Sequence, residues 1–155
     1  MLNELSNSNP QFTDRFIREV IVNYRPANEQ PFRVTDPSNA VQFIRDVLPD
    51  NSREHFLALY LDGANQVASF SVISTGTANS SLVHPREVFQ RAVLVGAQAF
   101  LVAHNHPSGS LTPSREDLDV TQRLSKAGEL MGIKLLDSLI VTASGARSIL
   151  NNESV

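Results

Sequence analysis

Two histidines one residue apart, His104 and His106, close an apolar run over residues 99–103 (AFLVA). Such a run reads as a buried strand, and residues i and i+2 of a strand project from one face, so the two imidazoles point together. Pro107 stops the strand and biases His106 toward extended backbone. His106-Pro107-Ser108-Gly109, with proline second and glycine fourth, suits a type I turn. Two imidazoles held side by side make one edge of a tetrahedral zinc site. The chain has no cysteine, which removes disulfides, a thiol nucleophile and every thiolate zinc site, so a metal here must be held by imidazole and carboxylate. Alone, H-x-H is a weak signal, because structural histidines at a strand end share its spacing.

Eight residues after His106 comes Ser114, followed at three residues by Asp117. Serine at an N-cap with an acid at N3 is a capping box, and that reading suffices for Ser114. It does not say where Asp117 points. On a helical wheel at about 100° per residue, Val120, Thr121, Leu124, Ala127, Gly128 and Met131 form a core stripe. Asp119, Gln122, Ser125, Lys126 and Glu129 form a wet one. Asp117 falls within roughly 30° of the core stripe's centre. A carboxylate aimed at a core is costly unless it is paired or holds a metal. Glu54 is the remaining acid of interest, at the start of an apolar run over residues 56–61. It reads equally as a solvated strand end or, if its strand lies beside the His104 strand, as a base overhanging the metal.

The elements that must position these groups follow from patterning. Residues 18–24 (REVIVNY) are β-like, and residues 25–31 form a loop with two prolines. Asp36-Pro37 predicts an N-cap and first helical residue, with Val41, Ile44 and Val47 or Leu48 on the buried face and an end before Pro49. Residues 56–61, an Asp62-Gly63 turn and residues 66–74 predict a hairpin. Residues 76–84 are a polar loop. Pro85 opens a helix with Val88, Ala92, Val95 and Ala99 at helical spacing, and a longer amphipathic helix runs from about residue 113 to 131, stopped near Gly132. Residues 135–142 and 146–150 predict two last strands. The order implies a mixed α/β fold with a single mixed sheet flanked by helices.

At 155 residues, with a hydrophobic fraction of 41% and a charged fraction of 19%, the chain is expected to form one soluble globular domain. A net charge of −3 gives no overall field to attract nucleic acid. Residues 1–11 have no apolar run behind a basic start, and no run is long enough to cross a membrane. A cytoplasmic location is expected. The other histidines and acids have bland readings: His55 faces away from Glu54, His84 precedes a helix-opening proline, and Asp36 and Asp50 are helix-end residues. Arg86 and Arg91 read as solvated charge more readily than as contacts for an acidic substrate.

The segment HNHPSGSLTPSRED, residues 104–117, resembles the JAMM signature of the JAB/MPN metalloproteases: two histidines one residue apart, seven residues, a serine, two residues and an aspartate, with a glutamate far upstream. HNHPSG itself, Gly76-Thr77 and VHPRE from Val83 before it, and Leu136-Asp137 after it look like the RadC branch. The resemblance covers residues 35–150. It implies a JAB/MPN domain over residues 35–155, of cytidine-deaminase-like architecture, behind an N-terminal extension of residues 1–34. It further implies His104, His106 and Asp117 as zinc ligands, Glu54 as general base and Ser114 as a donor to the oxyanion. RadC proteins usually carry an upstream helix-hairpin-helix region, for which this sequence is expected to have no room. The family's L-D-H-I-I reads Leu136-Asp137-Ser138-Leu139-Ile140, so Ser138 stands where the pattern has histidine.

The implied chemistry is amide hydrolysis. Three protein ligands leave zinc a fourth position for water, Glu54 moves the water's proton to the leaving amine, and zinc with Ser114 stabilises the oxyanion. The bond is a peptide or an isopeptide. Four rival readings are weaker. A DNA-repair role follows from the history of the RadC label but meets an acidic chain with no basic run. A zinc deaminase needs cysteine ligands, and in HNH nucleases the three residues are spread along a ββα unit. A metal-free MPN scaffold arises by losing ligands, whereas all the ligand positions are intact here.

Overall fold

A computed structural model describes residues 31–76 and 83–155. The β-like run 18–24, nearly all of the loop 25–31, and residues 77–82 of the polar loop lie outside the described residues.

The first helix, α1 (Pro37–Val47), begins where Asp36, in extended backbone, accepts the Asn39 N–H through Oδ1 at 2.9 Å. Pro37 supplies a preset φ and no N–H that would go unpaired. Ala40, Val41 and Ile44 are its buried stripe. Strands β1 (Glu54–Leu61) and β2 (Val67–Gly76) form the expected hairpin. Its turn is tied by Asp62 Oδ1, which accepts the N–H groups of Ala64 and Gln66 at 2.8 and 2.9 Å. Helix α2 (Pro85–Leu94) starts at Pro85 but stops one turn earlier than its apolar spacing predicts. Gly96, at φ +66°, ends it in a left-handed residue, and Ala99 opens the next strand instead.

Strand β3 (Ala99–Asn105) is buried along its whole length, as is β1 beyond Glu54. That is why both read as continuous apolar runs: helices cover them on both faces. Helix α3 (Arg115–Met131) carries the chain from β3 to β4 (Lys134–Val141), which lies parallel to β3 as such a crossover requires. Strands β5 (Ala146–Ser148) and β6 (Glu153–Ser154) complete one six-stranded mixed sheet, ordered β2-β1-β3-β4-β5-β6. The two-residue β6 carries no pattern that sequence reasoning can find. Met131, expected in the core stripe of α3, is exposed because the helix ends there, at a left-handed Gly132.

Two cores flank the sheet. On one face α1 packs on Leu59, Leu61, Leu101, Ala103 and Leu139. On the other, α2 and α3 pack on Phe56, Tyr60, Phe100, Val102 and Leu135. Even-numbered residues of β1 and β3 therefore face α3, which fixes the face on which Glu54, His104 and His106 lie. Among the described residues, no helix is long and apolar enough to cross a membrane.

Candidate metal centre

Beside β3, the β1 strand runs antiparallel with Phe56 opposite His104, and their rings stack with centroids 6.1 Å apart. His104 is thereby held 6% exposed at the top of the core. His106 lies one residue past β3. Its N–H donates to the Val141 carbonyl at 3.1 Å, and its own carbonyl accepts the Gly109 N–H at 3.0 Å, closing the expected turn. The chain then doubles back, bringing the Ser110 carbonyl to 2.7 Å from His106 Nδ1.

Asp117 arrives from above. Ser114 Oγ accepts the Asp117 N–H at 3.1 Å, and Asp117 Oδ2 accepts the Ser114 N–H at 2.7 Å, so both halves of the capping box form. The wheel's other implication also holds: Asp117 is 7% exposed. Its Oδ1 lies 3.2 Å from His104 Nε2 and its Oδ2 3.7 Å from His106 Nε2. The two Nε2 atoms are 3.1 Å apart. Burial pushes the Asp117 carboxyl up, but His104 and the Ser114 N–H outweigh it and hold the group well below the usual carboxylate range.

This donor set fits a small divalent cation. A tetrahedral site with bonds of about 2.0–2.1 Å has ligand–ligand edges of about 3.3–3.4 Å, close to the three separations above. A carbonyl only accepts, so His106 Nδ1 carries a proton toward Ser110, and the tautomer this selects is the one whose Nε2 lone pair is free to bind a cation. That lone pair, His104 Nε2 and a buried carboxylate converge with their ligand atoms all within 4.8 Å of one another. One proton between the imidazoles cannot satisfy so many acceptors, whereas a cation can. The group is compatible with holding a metal ion and with metal-dependent hydrolysis.

A family model described as the RadC-like JAB domain matches residues 34–154. The chain belongs to the RadC-like JAB domain family. Its similar relatives include a UPF0758 protein of Geotalea uraniireducens (strain Rf4), 49% identical over 109 residues, which cover 70% of this chain and 48% of the relative. The UPF0758 protein YsxA of Bacillus subtilis (strain 168) is 44% identical over 118 residues, 76% of this chain and 51% of that protein. A UPF0758 protein of Finegoldia magna is 44% identical over 118 residues, 76% of this chain and 53% of its own length. The chain thus spans about half the length of the relatives it matches.

Around the histidine–aspartate cluster, the remaining residues sort by geometry. Glu54 is half-buried, pairs with Gly76 of β2, and lies on the α3 face two residues before Phe56. It stands on the same face as the histidines and outside the three-residue cluster. Ser114 is exposed. His55 faces the other way and is buried, with Nδ1 2.9 Å from Thr75 Oγ1. Its Nε2 lies 3.3 Å from Asp50 Oδ2, too poorly aligned for a hydrogen bond. Asp50 is therefore not a helix-end residue: α1 has already ended, and Asp50 Oδ1 accepts the N–H and hydroxyl of Ser52 at 2.8 and 2.6 Å. His84 is the exposed N-cap of α2 and makes no side-chain cap. Arg86 is exposed, and Arg91 Nη1 donates to the Glu87 carbonyl of its own helix.

Ser138 is buried on the α3 face beside Val102, one row below the His104–Ile140 pair. Its Oγ accepts the Thr121 hydroxyl at 2.8 Å, one helical turn below Asp117. Two further contributors were not singled out from sequence. The Ser110 carbonyl could have been inferred from the turn that must reverse the chain after His106. Asn105 could not, because nothing in the sequence says which backbone its amide would meet.

Proposed function

We propose that this chain is a zinc-dependent metallohydrolase that cleaves a peptide or isopeptide amide bond. The observation that carries the reading is the convergence of His104 Nε2, His106 Nε2 and the Asp117 carboxylate, with the His106 tautomer set by Ser110. A zinc ion held by these residues would supply Lewis acidity, the chemistry that acidifies a water and polarises an amide carbonyl.

The chain's own groups supply the rest. His104, His106 and Asp117 would be the ligands, and the α3 N-terminus steadies the negative charge of Asp117. Glu54, on the same face and only half-buried, can take a proton from the attacking water and return it to the leaving nitrogen. Ser114 Oγ accepts from the Asp117 N–H and keeps its own O–H free to donate to an oxyanion forming at the pocket mouth. Burial of His104, stacked on Phe56, and of Asp117 limits the competition of bulk water for these two ligands, while His106 is only half-buried. A net charge of −3 and the absence of any basic run in the sequence favour a protein substrate over nucleic acid.

The test is zinc content followed by hydrolysis of fluorogenic peptide and isopeptide-linked probes by the zinc-loaded and chelated protein. Zinc-dependent cleavage supports the reading. A chain that binds no zinc at micromolar concentrations ends it.

A further inference from the structure

The backbone ladder between β1 and β3 runs from Leu61 opposite Ala99 to Phe56 opposite His104, and stops there. Glu54 and His106 both lie beyond that point. Glu54 is tied to β2 through Gly76, and His106 is tied to β4 through the Val141 carbonyl. The base and the ligand histidine therefore belong to opposite halves of the sheet just where their separation matters.

The side chain of Asn105 bridges that gap. Lying between the two histidines in β3, it projects to the face away from them and is 1% exposed. Its Oδ1 accepts the His55 N–H at 2.7 Å, while Nδ2 donates to the Arg53 carbonyl at 2.8 Å and to Asn51 Oδ1 at 2.9 Å. Both amide protons and one acceptor site are used, on the three odd-numbered positions 51, 53 and 55 of the segment that contains Glu54. Two of the three contacts are to backbone flanking Glu54 directly, at Arg53 and His55. A planar amide with three fixed partners restrains both translation and twist, which a single bond would not.

We propose that Asn105 is a positioning residue that carries the registry between Glu54 and the His104–His106 pair past the end of the ladder. This rests on Glu54 being the base. The proposal is that the residue between the ligands, apart from spacing them, sets where the carboxylate stands over the metal.

The test uses acetohydroxamate as a probe, because a hydroxamate chelates the metal and shares its proton with a neighbouring carboxylate. Its affinity is measured on the full chain loaded with zinc, for wild type, Asn105→Asp, Asn105→Ala, Glu54→Gln and the Asn105→Ala/Glu54→Gln pair. Asn105→Asp is isosteric but sets a carboxylate oxygen against the Arg53 carbonyl, an acceptor that cannot donate in return. Expected are zinc affinities within about threefold of wild type throughout, and a probe affinity lowered about tenfold to hundredfold by Glu54→Gln, the loss typical of a hydrogen bond to a charged group. Each Asn105 variant should lose a similar factor, and the double variant no more than Glu54→Gln alone. Wild-type affinity in folded Asn105 variants, with Glu54→Gln impaired, would overturn the proposal and leave Glu54 standing. An unimpaired Glu54→Gln would remove the base itself, and the inference with it. Additive losses, or loss of zinc in the Asn105 variants, would mean Asn105 acts by another route and would equally overturn it. Amide hydrogen exchange on the wild-type chain covers the case in which the variants do not fold: the His55 N–H should exchange as slowly as those of the β1 core, and rapid exchange would refute the bridge.

Discussion

His106 Nδ1 lies 2.7 Å from the Ser110 carbonyl, and that contact determines what the opposite ring nitrogen can do. A carbonyl has no proton to give, so Nδ1 keeps one, and Nε2 is the nitrogen that is bare in the tautomer this contact selects. That nitrogen faces His104 Nε2 at 3.1 Å and an Asp117 oxygen at 3.7 Å. The local backbone after Pro107 thus prepares a ligand before any metal arrives. Orientation by such an outer hydrogen bond commonly changes metal affinity by about 10- to 100-fold.

Purified protein should carry about one zinc per chain, lost on His104→Ala or Asp117→Ala and kept in His84→Ala. His55→Ala should also keep zinc but lose stability, because His55 is buried against Thr75 on the other face. Acid should release the metal as protons compete for the imidazoles. Metal analysis with a pH titration decides it, and stoichiometric zinc surviving both ligand substitutions would refute the site.

Asp50 predicts a pH signature elsewhere. The Ser52 hydroxyl and N–H, with the His55 ring beside it, pull its carboxyl down to about 2. The folded value lies below the unfolded one, so its contribution to stability is complete above about pH 4 and fades as pH falls toward 2. In urea unfolding, Asp50→Asn should be less stable than wild type at neutral pH, and the gap should hold down to about pH 4 and narrow below it. A gap that is constant from pH 7 to pH 3 would disprove the assignment.

Gly128 is required by close approach and not by backbone conformation. A Cβ there would stand 2.5 Å from the Ile133 carbonyl oxygen, where α3 folds back into β4. Backbone cannot swing aside as a side-chain tip can. Alanine's better helix propensity, worth about 1 kcal/mol, should be outweighed by overpacking of about 1–3 kcal/mol. Gly128→Ala should therefore lower the Tm by several degrees with zinc content unchanged, since Asp117 sits three turns away. An unchanged or raised Tm would show that the helix end yields freely.

How much of this was legible in the sequence depended on whether the signal was local. Asp36-Pro37, Asp62-Gly63 and Ser114 announced their elements because caps and turns are short-range chemistry. Asp117 was legible for a different reason: a carboxylate in an apolar stripe is an energetic contradiction that only a partner resolves. The end of α2 was not, because Val95 and Ala99 keep helical spacing although Gly96 has already broken the helix. Asp50 lies past the end of α1 because it closes a local turn onto Ser52, a contact that its place before a strand does not distinguish from a helix end. Asn105 was missed because its three partners are brought to it by strand pairing over some 50 residues of chain separation.

Glu54 separates an enzyme from a scaffold. Glu54→Gln keeps the side chain's shape and a hydrogen-bonding tip but cannot accept a proton. Zinc content should not change, since Glu54 stands outside the histidine–aspartate cluster. Hydrolysis of a cleavable peptide or isopeptide probe should fall by roughly 10²- to 10⁴-fold, the usual cost of losing a positioned base. The Tm should stay or rise slightly, because a half-buried charge becomes a neutral amide. A solvated strand-end glutamate makes the opposite forecast, leaving turnover and metal alike untouched. Zinc content, Tm and turnover measured on this one variant discriminate the two. Turnover within about threefold of wild type would make Glu54 a bystander, and the search for the base would pass to Glu116, exposed on the first turn of α3 beside Asp117.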